Sequence, residues 1–442
     1  MSLTRELVRQ IRHKPVGYDE RRQASLFVLD TLACALGALK TEPARILGIV
    51  APPRQGDMTR RAFYLGGLAH ILELDDLHRS SVTHPGAVVV PAAWAVAEAL
   101  DLGGRAFLDA VLAGYEASTR IGNAVGKAHY KVWHSTSTCG PFGSAMAAAQ
   151  LLGLDEEQCV SALGNAGTQA CGLWEFLASG AMSKHLHTAR AAEAGVLAAL
   201  LAREGFTGPD AILEGEKGFF KGLCPDPAPD AVLAEPTAPW QLTLSSIKPW
   251  PCCRHTHPTI DAAIALHNQL GGRKIARVEV ATYRAALDVC DRPDPQDPYS
   301  AKFSLQHCVG MALRDGRVVQ ASFGEEGRRA AADLRPRVTL QVSREIDQAY
   351  PRAWGAAVRV ETADGERLEA KRADCKGDPE NPVDESELAA KAQALMEDGG
   401  MDEAAARTLI EKIGSLVEDR PVRSLGLFAE PTARPVGVAR RA

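Results

Sequence analysis

The chain lacks the features that would place it in several large functional classes. Aromatic residues make up only 5% of its 442 residues, and 50 basic side chains stand against 55 acidic ones, a formal net charge of −5. With no basic stripe and few rings to stack on bases, nucleic acid is excluded as the main partner. No apolar run reaches the roughly 18 residues a membrane span needs; the nearest, Gly86 to Leu100, is interrupted by Pro91 and Glu98. The N-terminus mixes charged and apolar residues at helical spacing and has neither the apolar region nor the cleavage site of a secretory signal. The expected address is therefore cytoplasmic, with no membrane partner. Ten cysteines are scattered without a single CxxC pair, which does not suit a disulfide framework and predicts mostly buried thiols. GxGxxG after a strand, GxxxxGK[ST], HExxH and GxSxG are all missing, so nucleotide, zinc-protease and serine-hydrolase readings lose their usual footing.

What is present is ample apolar material, 46% of residues, enough for sizeable cores in two or three domains. From Arg21 to about residue 204, apolar and small residues recur at three and four, as in Ala24, Phe27, Val28, Leu32 and Ala35, a pattern that predicts helices and no strand. Stretches crowded with Ala and Gly, from Gly143 and from Arg190, predict buried helices whose axes approach closely. A Pro-rich stretch from Cys224 to Pro239 reads as a connection. Beyond it, Ile275–Tyr283, Arg337–Val342 and Ala357–Thr362 alternate as strands do, and the last runs into Asp364-Gly365, a hairpin signal. With helices at about 258–270 and 301–314, this predicts a smaller α+β domain; helical patterning returns at 387–396 and 402–416. The fold class is mainly α: a large all-helical domain plus a smaller α+β domain.

Cys252-Cys-Arg-His-Thr-His257 packs four potential metal ligands into six residues, but adjacent cysteines rarely both reach one tetrahedral ion and no complementary pair occurs, so no metal is expected. A repeated tripeptide is more informative. Thr83-His84-Pro85 and Thr256-His257-Pro258 each precede a helix pattern, and proline favours the first helical position. His84 and His257 are thus expected at helix entrances, where the positive end of the dipole disfavours imidazolium and keeps a neutral base near pH 7. His134 precedes Pro141, read here as another helix start. Lys184, in Ser183-Lys-His-Leu-His187, opposes the dipole at the entry of a long helix and asks for an anion, such as a substrate. Glu73, Asp75 and Asp76, at the end of a helix from about Phe63, read equally well as a solvated acidic face. Three histidines and one cation at helix entrances, with Arg79, Arg190 and Arg254 close in sequence, suit a small di- or tricarboxylate. The chemistry they suit is proton transfer at a carbon next to a carboxylate.

At these same residues the sequence resembles the MmgE/PrpD family. The matching runs are Leu74-Asp-Asp-Leu-His78 with Thr83-His-Pro85, Gly114-Tyr-Glu-Ala, His134 through Gly143, Ala162-Leu-Gly-Asn-Ala-Gly, Lys184-His-Leu-His187 with Arg190-Ala-Ala, Gly205-Phe-Thr-Gly-Pro209, Lys248 through His257, and Ala301-Lys-Phe-Ser-Leu305. The resemblance implies a helical domain over 1–243 completed by a returning segment over 399–442, an α+β lid over 244–398, a homodimer, and a metal-free, cofactor-free site between the domains. It places catalytic residues at Asp75 or Asp76, His84, His134, Lys184 and His257. His78, Arg79, His187, Arg190, Lys248 and Arg254 stand beside them as substrate-binding residues. Leu77 departs from the family by standing where a hydroxyl is frequent. The activities implied are dehydration of a 2-methylcitrate-like hydroxy acid first, then decarboxylation of a cis-aconitate-like acid or epimerisation of an iminodisuccinate-like acid. A lapsed carboxylate-binding homologue is the non-enzymatic reading.

Overall fold

A computed structural model describes residues 2–53 and 57–428; the last fourteen residues of the expected returning segment lie outside that range. Most of the chain is helical, and the fold is mainly α with a smaller α+β part. The central helices are Tyr18–Gly37, Gly86–Ala99, Gly104–Ala124, Ser135–Leu151 and Ser183–Arg203. Their small residues bring backbones together: a Cβ on Gly114 would lie 2.8 Å from the Gly143 carbonyl, and one on Gly143 would lie 2.6 Å from that of Gly114. Close approach of this kind buries Trp94, Tyr115, Phe107 and Phe142 completely. Among the described residues no single helix is long and apolar enough to cross a membrane. The cysteines are all free, and every one except Cys171 is buried.

The second body is a four-stranded sheet covered on one side by His257–Leu270 and Leu305–Asp315, with its own apolar core. A two-residue ribbon precedes it in the chain, β1 (Leu77–His78) antiparallel to β2 (Ser245–Ser246). The sheet order is β4 (Val338–Val342), β3 (Ile275–Thr282), β5 (Ala356–Thr362), β6 (Arg367–Arg372). β3 runs parallel to β4 and antiparallel to β5, and β5 and β6 form the hairpin turned at Gly365, whose φ is 89°.

Several elements differ from the sequence pattern. Ser135–Leu151 starts six residues before Pro141 and carries it inside the helix, where neighbouring helices hold the break that proline introduces. β1 falls in the stretch read as strand-free, because two residues carry no alternation. The Pro-rich connection is docked on the helical body: Arg120 Nη1 donates to the carbonyls of Val232 and Ala234. The return to that body begins with Glu385–Asp398, ahead of residue 399, since Leu388, Ala392 and Met396 join the first core.

Candidate active site

The segment from His70 to His84 is a buried irregular loop, not the solvated end of a helix: the helix before it stops at Ala69, and Glu73, Asp75 and Asp76 are all at most 1% exposed. Glu73 has φ 59°, a left-handed conformation uncommon for a residue with a side chain. Three ammonium groups hold it there. Lys302 Nζ donates to the Leu72 carbonyl at 2.8 Å, Lys248 Nζ to that of Glu73 at 3.0 Å, and Lys391 Nζ to that of Leu74 at 2.9 Å. Charge-assisted bonds to three consecutive carbonyls offset the backbone strain. Burial pushes the Lys302 ammonium down to about 8.

The anion that a lysine at a helix entrance needs is internal. Lys184, second residue of Ser183–Arg203, places Nζ 2.6 Å from both carboxylate oxygens of Glu73. Burial alone would raise the Glu73 carboxyl, but Lys184, His70 and Lys248 hold it well below the usual carboxylate range.

His84 precedes the helix Gly86–Ala99, and its backbone N–H donates to Thr136 Oγ1 at 3.0 Å. Its Nδ1 lies 2.7 Å from the Asp76 carbonyl and 3.4 Å from Asp75 Oδ2. Two oxygens at Nδ1 place the proton there and leave Nε2 as the free base. Burial lowers the His84 imidazole to about 4, with Asp75 opposing and Lys248 adding to the shift. Asp75 Oδ2 also accepts from His70 Nδ1 at 2.7 Å. These three side chains could group their donor atoms around an ion, but both Nδ1 atoms are engaged in hydrogen bonds, so the set reads as an orienting network. Asp76 is a helix cap: it accepts from the Gly86 N–H and the Tyr115 hydroxyl, each at 3.0 Å. A Cβ on Gly86 would lie 2.5 Å from both Asp76 Oδ1 and Thr31 Oγ1. Gly86→Ala is expected to cost about 1–3 kcal/mol, read by urea denaturation, with lower activity because Asp76 and the His84 contact shift together.

Glu73, His84, Lys184 and Lys248 face Arg254, His255 and Phe303 across one cavity between the two bodies. Its free volume is about 20 Å³, room for a water or two. His134, the N-cap of Ser135–Leu151, sits one layer behind, packed on Trp174 at the cavity wall and 3.3 Å from His187 Nδ1.

Other sequence candidates are elsewhere. His257 is fully buried against Trp250, with Nε2 3.3 Å from the Cys252 carbonyl, and does not line the cavity. Its neighbour His255 does. Arg190 is on the surface beside Glu193. Arg79 is held by Glu380 and Asp374, and His78 Nδ1 bonds Ser81 Oγ at 2.8 Å.

Residues 5–231 match the MmgE/PrpD N-terminal domain and residues 250–414 the MmgE/PrpD C-terminal domain. The chain belongs to the MmgE/PrpD family. It is 28% identical over 396 residues to the cis-aconitate decarboxylase of Aspergillus terreus, covering 79% of this chain and 80% of that one. A cis-aconitate decarboxylase-like protein of Aspergillus oryzae is 28% identical over 430 residues, 88% of each chain. The human cis-aconitate decarboxylase is 30% identical over 280 residues, 60% of this chain and 57% of its own. The relatives carry the names of enzymes, and this MmgE/PrpD chain has a small cavity lined by Lys184, Lys248 and Arg254.

His255 is an ionisable cavity residue that sequence patterning passes over, and Glu73 is one that it reads only as part of a solvated face. The one signal for Glu73 was the unfavourably placed Lys184; His255 lay hidden within a run that resembled a metal cluster.

Burial also makes the protein acid-sensitive. His78, His185 and His255 are pushed down to about 3, and His84, His187 and His307 to about 4. Between about pH 6.5 and 4 the unfolded chain binds more protons at these rings than the folded one, so stability falls as pH falls through that window. The melting temperature is expected to drop steeply between pH 6.5 and 4. A flat profile there would contradict this set of buried neutral histidines.

Proposed function

We propose that this chain is a cofactor-free lyase that acts on a small di- or tricarboxylate by proton transfer next to a carboxylate. The observation that carries the reading is the pairing, in one water-poor cavity, of a neutral base, His84 Nε2, with the Lys184 ammonium. The names of the relatives favour decarboxylation of a cis-aconitate-type acid. In that reaction the bond from carbon to a carboxylate breaks and CO₂ leaves. The electron pair is held by the remaining carboxylates beside Lys184 and Lys248, and an acid group returns a proton to carbon.

A second reading, dehydration of a 2-methylcitrate-like hydroxy acid, draws support from the apolar wall of Leu77, Val82 and Val289, which suits an alkyl branch. There His84 takes the proton from carbon and the Lys184 side assists loss of hydroxide as water. A cavity this small must open to admit either acid, which supports reading the α+β body as a lid. We also take the protein to be a homodimer, which sedimentation would test.

Incubation with candidate acids in D₂O, followed by NMR, separates the readings. CO₂ release with deuterium on carbon indicates the decarboxylase, loss of water the dehydratase, and exchange with inversion alone an epimerase. Absence of any exchange or product with di- and tricarboxylates overturns the lyase proposal.

A further inference from the structure

The helical wall of the cavity has satisfied its cations: Lys184 is paired with Glu73, and Lys248 donates to a carbonyl. The α+β wall has not. Arg254, 2% exposed, gives one guanidinium nitrogen, Nη2, to Asp378, while Nη1 is buried with no hydrogen-bond partner among the described residues. The adjacent His255, also 2% exposed, has its Nε2 buried and unpartnered. Both residues line the cavity. Buried donors without partners are uncommon in native proteins and point to a missing acceptor.

Both side chains are fixed. His255 stacks on Trp354 with ring centroids 4.5 Å apart and 6° between planes, and its Nδ1 is 2.8 Å from the Tyr283 hydroxyl. Arg254 lies over the same Trp354 ring, 5.8 Å from its centroid, and Asp378 also faces Arg79 at 3.6 Å. A phenol can donate to Nδ1 or accept from it; with the Tyr283 hydroxyl donating, the imidazole proton sits on Nε2. Burial and the neighbouring cations keep His255 neutral, down to about 3, so it offers a hydrogen bond without adding a second charge beside Arg254.

We propose that Arg254 Nη1 and His255 Nε2 form a carboxylate subsite on the α+β wall, which binds the substrate carboxylate remote from the reacting carbon. The inference rests on the carboxylate-lyase reading and adds to it. His84 and Lys184 act from the helical body while this pair grips the far end of the acid, so a bound tricarboxylate spans both bodies and favours their closure. Selection of tricarboxylates over shorter dicarboxylates then resides in this pair, with Tyr283 as a positioning residue that sets the tautomer.

The test is calorimetric titration of the full chain with propane-1,2,3-tricarboxylate and with methylsuccinate, which lacks one terminal carboxylate. The wild type is expected to bind the tricarboxylate at least about tenfold more tightly. His255→Leu should weaken tricarboxylate binding by roughly ten- to a hundredfold and leave methylsuccinate binding within about threefold. His255→Gln, which keeps a donor of similar reach, should restore most of the tricarboxylate affinity, and circular dichroism melts check that both variants fold. Unchanged tricarboxylate binding in a folded His255→Leu, equal weakening of both acids, or failure of His255→Gln to recover affinity overturns the subsite and leaves the lyase reading standing. A wild type that binds neither acid overturns the lyase reading itself.

Discussion

Replacing Lys184 with Met is expected to lower turnover by about two to four powers of ten and to destabilise the fold by about 3–5 kcal/mol. The two losses have different origins. Turnover falls because the ammonium that faces developing negative charge, and that can return a proton, is gone. Stability falls because Glu73 would keep a carboxylate in a site where it is 1% exposed, with its two ion-paired oxygens unmatched. The double variant Lys184→Met/Glu73→Gln separates them: a neutral amide tolerates burial better than an unpaired charge, so most of the stability should return in urea denaturation while turnover stays low. Near-normal turnover in Lys184→Met would remove the lysine from the chemistry and leave the ion pair a structural one.

His84→Ala is expected to reduce turnover by a similar two to four powers of ten, with less effect on stability. The imidazole contributes one hydrogen bond, from Nδ1 to the Asp76 carbonyl, and it belongs to the cavity wall, not the apolar core. In the wild type, kcat/KM should hold from neutral pH down toward about 4, the value to which burial lowers this ring, and fall below it as the base is protonated. Asp75→Asn gives a sharper test of the network. The Asp75 carboxylate raises the His84 value, so its removal should move the acid limb to still lower pH and reduce the rate by misaligning the ring. An acid limb that stays in place in Asp75→Asn would show that His84 is not the titrating base.

Much of the molecule follows from local pattern. The 3.6-residue periodicity of the first half, the alternation of three of the four sheet strands and the Asp364-Gly365 turn appear in the structure where the chain suggests them. So do the helix entrances at His84, Lys184 and His257, because proline placement and the start of an apolar repeat are short-range signals. Pro141 misleads for the same reason. A local rule favours proline at a helix start, yet the packing of Ser135–Leu151 among its neighbours is strong enough to carry proline inside the helix.

The sequence by itself determined the mainly helical class, the two bodies' kinds of secondary structure and which segments carry ionisable residues at helix entrances, since each depends on residues within a turn or two of one another. Only the tertiary structure decided which of those residues share a cavity. It brought Glu73 to Lys184 across 111 positions, set three lysines from distant segments on one strained loop, and turned His255 toward the cavity and His257 away from it. Electrostatic pairing of buried charges acts through space and is indifferent to chain distance, so no spacing along the chain could have announced it.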